Sequence, residues 1–164
     1  MRLLALACLV VLLRTASAEP LWDAELRLGY GLALSGSGQM STTRATPLTI
    51  AAVGSFLLRE DPALSAYGGF VVETLDRNSL GALAGVKIAP PHSHLRLMAG
   101  GIALARPRTL WGADASGGLC GRAAPGIAMC GDVVLTSYFA GTDLAPGHTV
   151  TEVQLQLGVV FDAL

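Results

Sequence analysis

Chemistry is most plainly available at His92-Ser93-His94. In an extended chain His92 and His94 point to the same side, as two ligands of one metal ion must. The third histidine of the sequence, His148, offers a further nitrogen. No acidic residue neighbours the pair, and Pro90-Pro91 stands just before it, so the segment also reads as a solvated turn. We therefore assign no metal. A hydrolase built on His and Ser needs both side chains on one side of a strand. Adjacent strand residues face opposite sides, so His92-Ser93 does not meet that need. Gly36-Ser37-Gly38 and Gly117-Gly118 lack the Lys-Ser/Thr that completes a phosphate-binding loop, and read as loop tips. No catalytic residue and no cofactor are expected, and the chain does not read as an enzyme.

A second set of chemical groups is more telling because of where it lies. Asp23, Glu25, Arg27, Glu73, Lys87, Arg96 and Glu152 all sit inside runs of alternating apolar residues. From Thr151 to Phe161 the odd positions read Thr, Val, Leu, Leu, Val, Phe, and Glu152, Gln154, Gln156 and Gly158 fall between them. From Trp22 to Leu34 the even positions read Trp, Ala, Leu, Leu, Tyr, Leu, Leu, and Asp23, Glu25, Arg27, Gly29 and Gly31 fall between. A period of two is the mark of a strand with one apolar and one polar face.

The same reading places further strands at Leu48–Arg59, Leu64–Leu75, Leu80–Ala89, Leu95–Ala105 and Asp132–Ala140. Between them lie Glu60-Asp61-Pro62, Asp76-Arg77-Asn78-Ser79, Pro90-Pro91 and the stretch 141–148 as turns. Ser35 to Pro47 reads as a long polar loop. Arg106 to Gly131 shows no clean period, and an eighth strand is expected inside it, around Thr109 to Ala115. Strands following one another without helical interludes predict an all-β, antiparallel up-and-down barrel of about eight strands.

Composition narrows what such a barrel meets. Residues 1–18 read as a secretory signal: Arg2, an apolar run from Leu3 to Leu13, and the cleavage pattern Ala16-Ser17-Ala18. Residues 19–164 then form one domain. Without Arg2 and Arg14, the 11 basic residues fall to 9 against 12 acidic ones, a net charge of −3, and no basic patch invites nucleic acid. Charged residues are 14% and hydrophobic ones 52% of the chain, with a mean hydropathy of +0.55. Beyond the signal there is no apolar run long enough for a membrane helix. A chain this apolar must bury an unusual amount or face lipid through strands. Cys120 and Cys130 are the only cysteines after residue 18. In an oxidising compartment they are expected to pair, pinning an irregular hairpin outside the barrel wall.

With the ending Gln156-Leu157-Gly158-Val159-Val160-Phe161-Asp162-Ala163-Leu164, these features resemble the broad class of small outer-membrane β-barrel proteins. Gln156, Gly158 and Phe161 fit the assembly signal of that class, which usually finishes on a terminal aromatic where this chain has Leu164. The resemblance implies residence in the cell outer membrane, insertion by the barrel-assembly machinery, lipid as the outer partner and a structural or surface-interaction role. Leu26, Leu28, Tyr30, Leu32, Val153, Leu155, Leu157, Val159 and Phe161 then point to lipid. Glu25, Arg27, Glu73, Lys87, Arg96 and Glu152 form a polar network in the lumen, and the first and last strands pair. Trp22, Tyr30, Tyr67, Tyr138, Phe139 and Phe161 are the candidates for the interfacial aromatics of such a barrel. Alternation is blind to which face is inside, however. The alternative is a soluble exported barrel of the lipocalin kind, apolar inside, binding a small apolar ligand.

Overall fold

Runs that alternate every second residue satisfy themselves only as strands, and strands are what this chain forms. The computed structural model describes residues 22–37, 40–60, 62–75, 78–90, 93–106 and 109–162. The expected signal at residues 1–18, His92 and Leu164 lie outside them. Among the described residues nine strands are found: β1 (Trp22–Ser37), β2 (Met40–Ala45), β3 (Leu48–Glu60), β4 (Ala63–Thr74), β5 (Ser79–Ala89), β6 (Leu95–Arg106), β7 (Leu110–Ala124), β8 (Ile127–Ala140) and β9 (Thr149–Asp162). From β3 onward each pairs antiparallel with the next. β1 pairs with β9 from Asp23↔Asp162 to Gly36↔Thr149, which closes the sheet as expected.

β2 and β3 share one position in the wall. β3 pairs with the first part of β1, Trp22↔Phe56 to Gly29↔Thr49, and β2 with its last part, Leu32↔Ala45 to Ser37↔Met40. The structure is therefore an eight-stranded antiparallel barrel with one strand broken at Thr46-Pro47. Proline has no N–H to give the ladder. Thr46 bridges the gap: its N–H donates to Gly31 O at 2.9 Å, and its Oγ1 accepts from Gly31 N–H at 2.7 Å. The expected loop at Ser35 to Pro47 is thus corrected: its first residues end β1, and Met40–Ala45 form β2. Its Ser, Thr and Gly content is that of a strand pair rising beyond the rest of the wall.

The stretch Arg106 to Gly131 needs the larger correction. The missing strand is β7, far longer than Thr109 to Ala115, and β8 begins at Ile127 rather than Asp132. Pro125-Gly126 turns the chain between them, with Gly126 at a φ of 73°, the left-handed position that follows proline in a type II turn. Cys120 and Cys130 are direct partners across β7 and β8 and are bonded to each other. The pairing is as expected, but the disulfide lies within the barrel wall, not on an irregular hairpin outside it. Replacing both cysteines by alanine is expected to lower stability by at most roughly 3 kcal/mol, the chain-entropy value for so short a loop. The checking measurement is the denaturant midpoint of the folded barrel.

The alternation resolves with the leucines outside. Leu155 and Leu157 are 70% and 68% exposed, and Leu26, Leu28, Tyr30, Leu32, Val153 and Phe161 also face out. Glu25, Arg27, Glu152, Gln154 and Gln156 are buried in the lumen. Trp22, Phe56 and Phe161 stand outward near the end that holds the chain termini of the barrel, and Trp111 and Phe139 stand outward near the opposite end. Tyr67 and Tyr138 do not join them. Both are buried inside, because each falls on the inward parity of its strand and carries a hydroxyl with a lumen partner. Along β1 the outward apolar run from Trp22 to Leu34 covers about 40 Å of strand at ~3.3 Å per residue. At a tilt of about 40° that is an apolar band roughly 30 Å tall.

Candidate functional site

The lumen is built in layers, and each layer follows from register. At the terminal end, Lys87 on β5 reaches across to Asp23 on β1 at 2.5 Å and to Ser55 Oγ on β3 at 3.1 Å.

The next layer centres on Arg96 of β6, which is 3% exposed. Arg96, Gly118 and Asp132 are direct partners across β6, β7 and β8. Gly118 carries no side chain, and the Asp132 carboxylate takes that room over β7 to meet the Arg96 guanidinium. Its Nε donates to Asp132 Oδ1 at 2.9 Å, and its Nη2 donates to Asp132 Oδ2. The same Nη2 donates to Glu25 Oε1 at 2.7 Å from across the lumen. Glu25, 1% exposed, takes a second donor on its other oxygen, Arg27 Nη2 at 2.8 Å. Arg27 in turn lies over the ring of Tyr67, 5.9 Å from its centre. The result is a buried chain of alternating charge, Asp132–Arg96–Glu25–Arg27. Such a chain is stable only when every member has a partner.

Gly158 completes the fit. A methyl group there would meet Glu25 Oε1, the oxygen held by Arg96. Gly158→Ala is therefore expected to displace Glu25 and cost about 1–3 kcal/mol, as overpacking of a filled interior does. Thermal or denaturant unfolding of the two proteins side by side checks this.

Above this layer Tyr67 donates to Asp114 Oδ2 at 3.2 Å. An amide ladder climbs the inner face of β9. Gln156 Nε2 donates to Gln154 Oε1, and Gln154 Nε2 donates to Glu152 Oε2 and Thr49 Oγ1, each at 3.2 Å. Toward the loop end Tyr138 donates to Glu73 Oε1 at 3.4 Å. Leu104 and Leu110 are fully buried beside Tyr138, and Leu144 and Val150 pack against them. Between the charged layer and this apolar one lies an internal cavity of about 30 Å³. The lumen is a packed interior, as the inside of an eight-stranded barrel normally is.

The residues expected from the alternation are distributed along the lumen. Glu25, Arg27 and Arg96 meet in one cluster and Lys87 meets Asp23, while Glu73 and Glu152 belong to the loop-end half with Tyr138 and Gln154. Sequence reasoning missed Asp132, Asp114, Tyr67 and Tyr138. Parity was the available signal. Cys130, Asp132, Val134, Thr136 and Tyr138 share the inner face of β8. Among the histidines, exposed His94 precedes β6 at the terminal end, its Nδ1 3.0 Å from Cys120 O. His148 precedes β9 at the loop end. The two stand at opposite ends and cannot share a metal ion.

Comparison with known proteins agrees with this geometry. The crystal structure of Neisserial surface protein A superposes with a TM-score of 0.54 over 90% of this chain and all of that one, at 8% identity. The chain has the small outer-membrane β-barrel fold. Two crystal structures of Ail, the attachment invasion locus protein of Yersinia pestis, are also similar to this barrel. One gives a TM-score of 0.48 at 10% identity, covering 88% of this chain and all of that one. The other, in complex with the heparin analogue sucrose octasulfate, gives 0.45 at 12%, covering 85% and 99%. No family model and no curated protein sequence matches the chain.

Proposed function

We propose that this barrel is an integral protein of the outer membrane, with a structural or surface-interaction role and a lumen that is closed rather than conducting. The observation that carries the reading is the sorting of side chains. The outward face is an apolar band about as tall as the roughly 25 Å band of such barrels, whereas Glu25, Arg27, Glu73, Arg96, Asp132 and Glu152 turn inward and the exposed Arg44, Arg59, Glu60 and Arg122 stand toward strand ends. In water that outer face would be an apolar patch far beyond what soluble proteins expose. Lipid is therefore the outer partner and the barrel-assembly machinery the route of insertion. No basic patch supports nucleic acid as a partner.

The connections at the terminal end are short, Pro62 and Pro125-Gly126 among them, and β1, β2 and β9 rise at the other end. In such barrels short turns face the periplasm, so the loop end is the surface that partners would meet. The soluble, ligand-binding alternative needs apolar side chains inside and room for a ligand of several hundred Å³. The lumen has buried charges and a cavity of about 30 Å³ instead. Two layers, one ionic and one apolar, block the axis, which supports a closed core. The test is fractionation of cells making the full chain, followed by a carbonate wash. We expect the protein to stay with the outer membrane, and release as a soluble species sinks the reading.

A further inference from the structure

The internal cavity has a chemical signature. It is lined by Arg27, Asp114, Glu73, Ser116 and Thr136, with Gln154 and Gln156 on one side. Two buried polar atoms on its lining residues have no hydrogen-bond partner among the described residues: Arg27 Nε, a donor, and Asp114 Oδ1, an acceptor. Arg27 is 7% exposed, so bulk solvent does not satisfy it. Leaving such groups without a partner is costly, and native interiors avoid it.

The occupant must accept from one and donate to the other. A cation is disfavoured by the Arg27 guanidinium and an anion by the carboxylates of Asp114 and Glu73, which leaves a small neutral molecule that does both. We propose that the cavity is a hydration site holding water molecules that bridge Arg27 Nε to Asp114 Oδ1. About 30 Å³ open to water centres fits roughly two, since one needs about 10–15 Å³. The bridge joins the chain Asp132–Arg96–Glu25–Arg27 to the pair Asp114–Tyr67, so one polar network crosses the strands of the lumen. The site lies inside the barrel and does not depend on what the outer face meets.

Oxygen-17 water relaxation dispersion on the folded full chain in detergent tests it. The wild type is expected to show about two more long-lived waters than Asp114→Leu, which fills the space with an apolar side chain. Asp114→Asn keeps an acceptor and should retain them. Ser116→Val narrows the same cavity without touching a charge, and serves if Asp114→Leu fails to fold. It too should lose water signal. No long-lived water in the wild type, or equal signal in the wild type and the filled variants, overturns the proposal.

Discussion

Leu155→Arg is expected to remove the protein from the membrane fraction almost entirely, while Leu155→Ala leaves it in place. Leu155 stands at the middle of β9, 70% exposed, in an outward row with Val133 of β8 and Tyr30 of β1. A basic side chain there meets hydrocarbon and costs about 2–4 kcal/mol near the midplane. That is a large share of a stability of about 5–15 kcal/mol. The position also lies on the strand that closes the barrel against β1, so a defect there leaves ladder edges open to lipid. Gln156→Arg is the paired control. It turns the same charge into the lumen, where Asp114 and Glu73 line the neighbouring space and together outweigh the repulsion of Arg27, and should retain insertion. Carbonate-resistant membrane protein, measured by immunoblot for the three variants, gives the answer. Equal insertion of Leu155→Arg and the wild type is incompatible with a lipid-facing β9.

Arg96→Met is expected to cost about 3–5 kcal/mol of folding free energy, because it strands two carboxylates in the interior. Asp132 loses both its bonds to Arg96, and Glu25 is left to Arg27 alone. Arg96→Lys should recover only part of the loss. A single ammonium cannot reproduce a fork that holds Asp132 twice while reaching Glu25. Adding Asp132→Asn to Arg96→Met should recover more, since it removes one of the stranded charges. Denaturant unfolding of the folded barrel in detergent micelles measures all three. A loss for Arg96→Met within the roughly 0–1 kcal/mol of an exposed pair would show that the cluster is solvated rather than buried.

Both predictions rest on parity, which is also what made much of this protein legible beforehand. β1 and β9 were read nearly whole because bulky apolar residues alternate with charged or amide ones along them, as at Glu25-Leu26-Arg27-Leu28 and Glu152-Val153-Gln154-Leu155. β7 was read only in part because both of its faces are small. Ala113, Ala115 and Gly117 lie on one side and Gly112, Ser116 and Gly118 on the other. With so little contrast in hydropathy, a period of two has no amplitude. Pro125-Gly126 is the turn signal the sequence carries there, and only the paired strands show β7 and β8 running past the cysteines to it. The long polar loop at residues 35–47 failed for a different reason. Ser and Thr are compatible with a solvent-facing strand pair, and only partners on β1 identify β2 as one.

By itself, the sequence determined that the chain is made of strands, that each has an apolar and a polar face, and that charges share the polar one. These are properties of neighbours along the chain, set by the geometry of the extended backbone. Which face is inside was not among them, since alternation is unchanged when the sheet is turned inside out. Closure of β1 on β9 decided it, by curling the sheet with the leucines on its convex side. The partners of each charge were also left to the tertiary structure. Arg96 and Asp132 are 36 residues apart and Arg96 and Glu25 are 71 apart. They meet only because Gly118 and Gly158 leave room where the register brings them level, and register is a relation between strands that no single strand encodes.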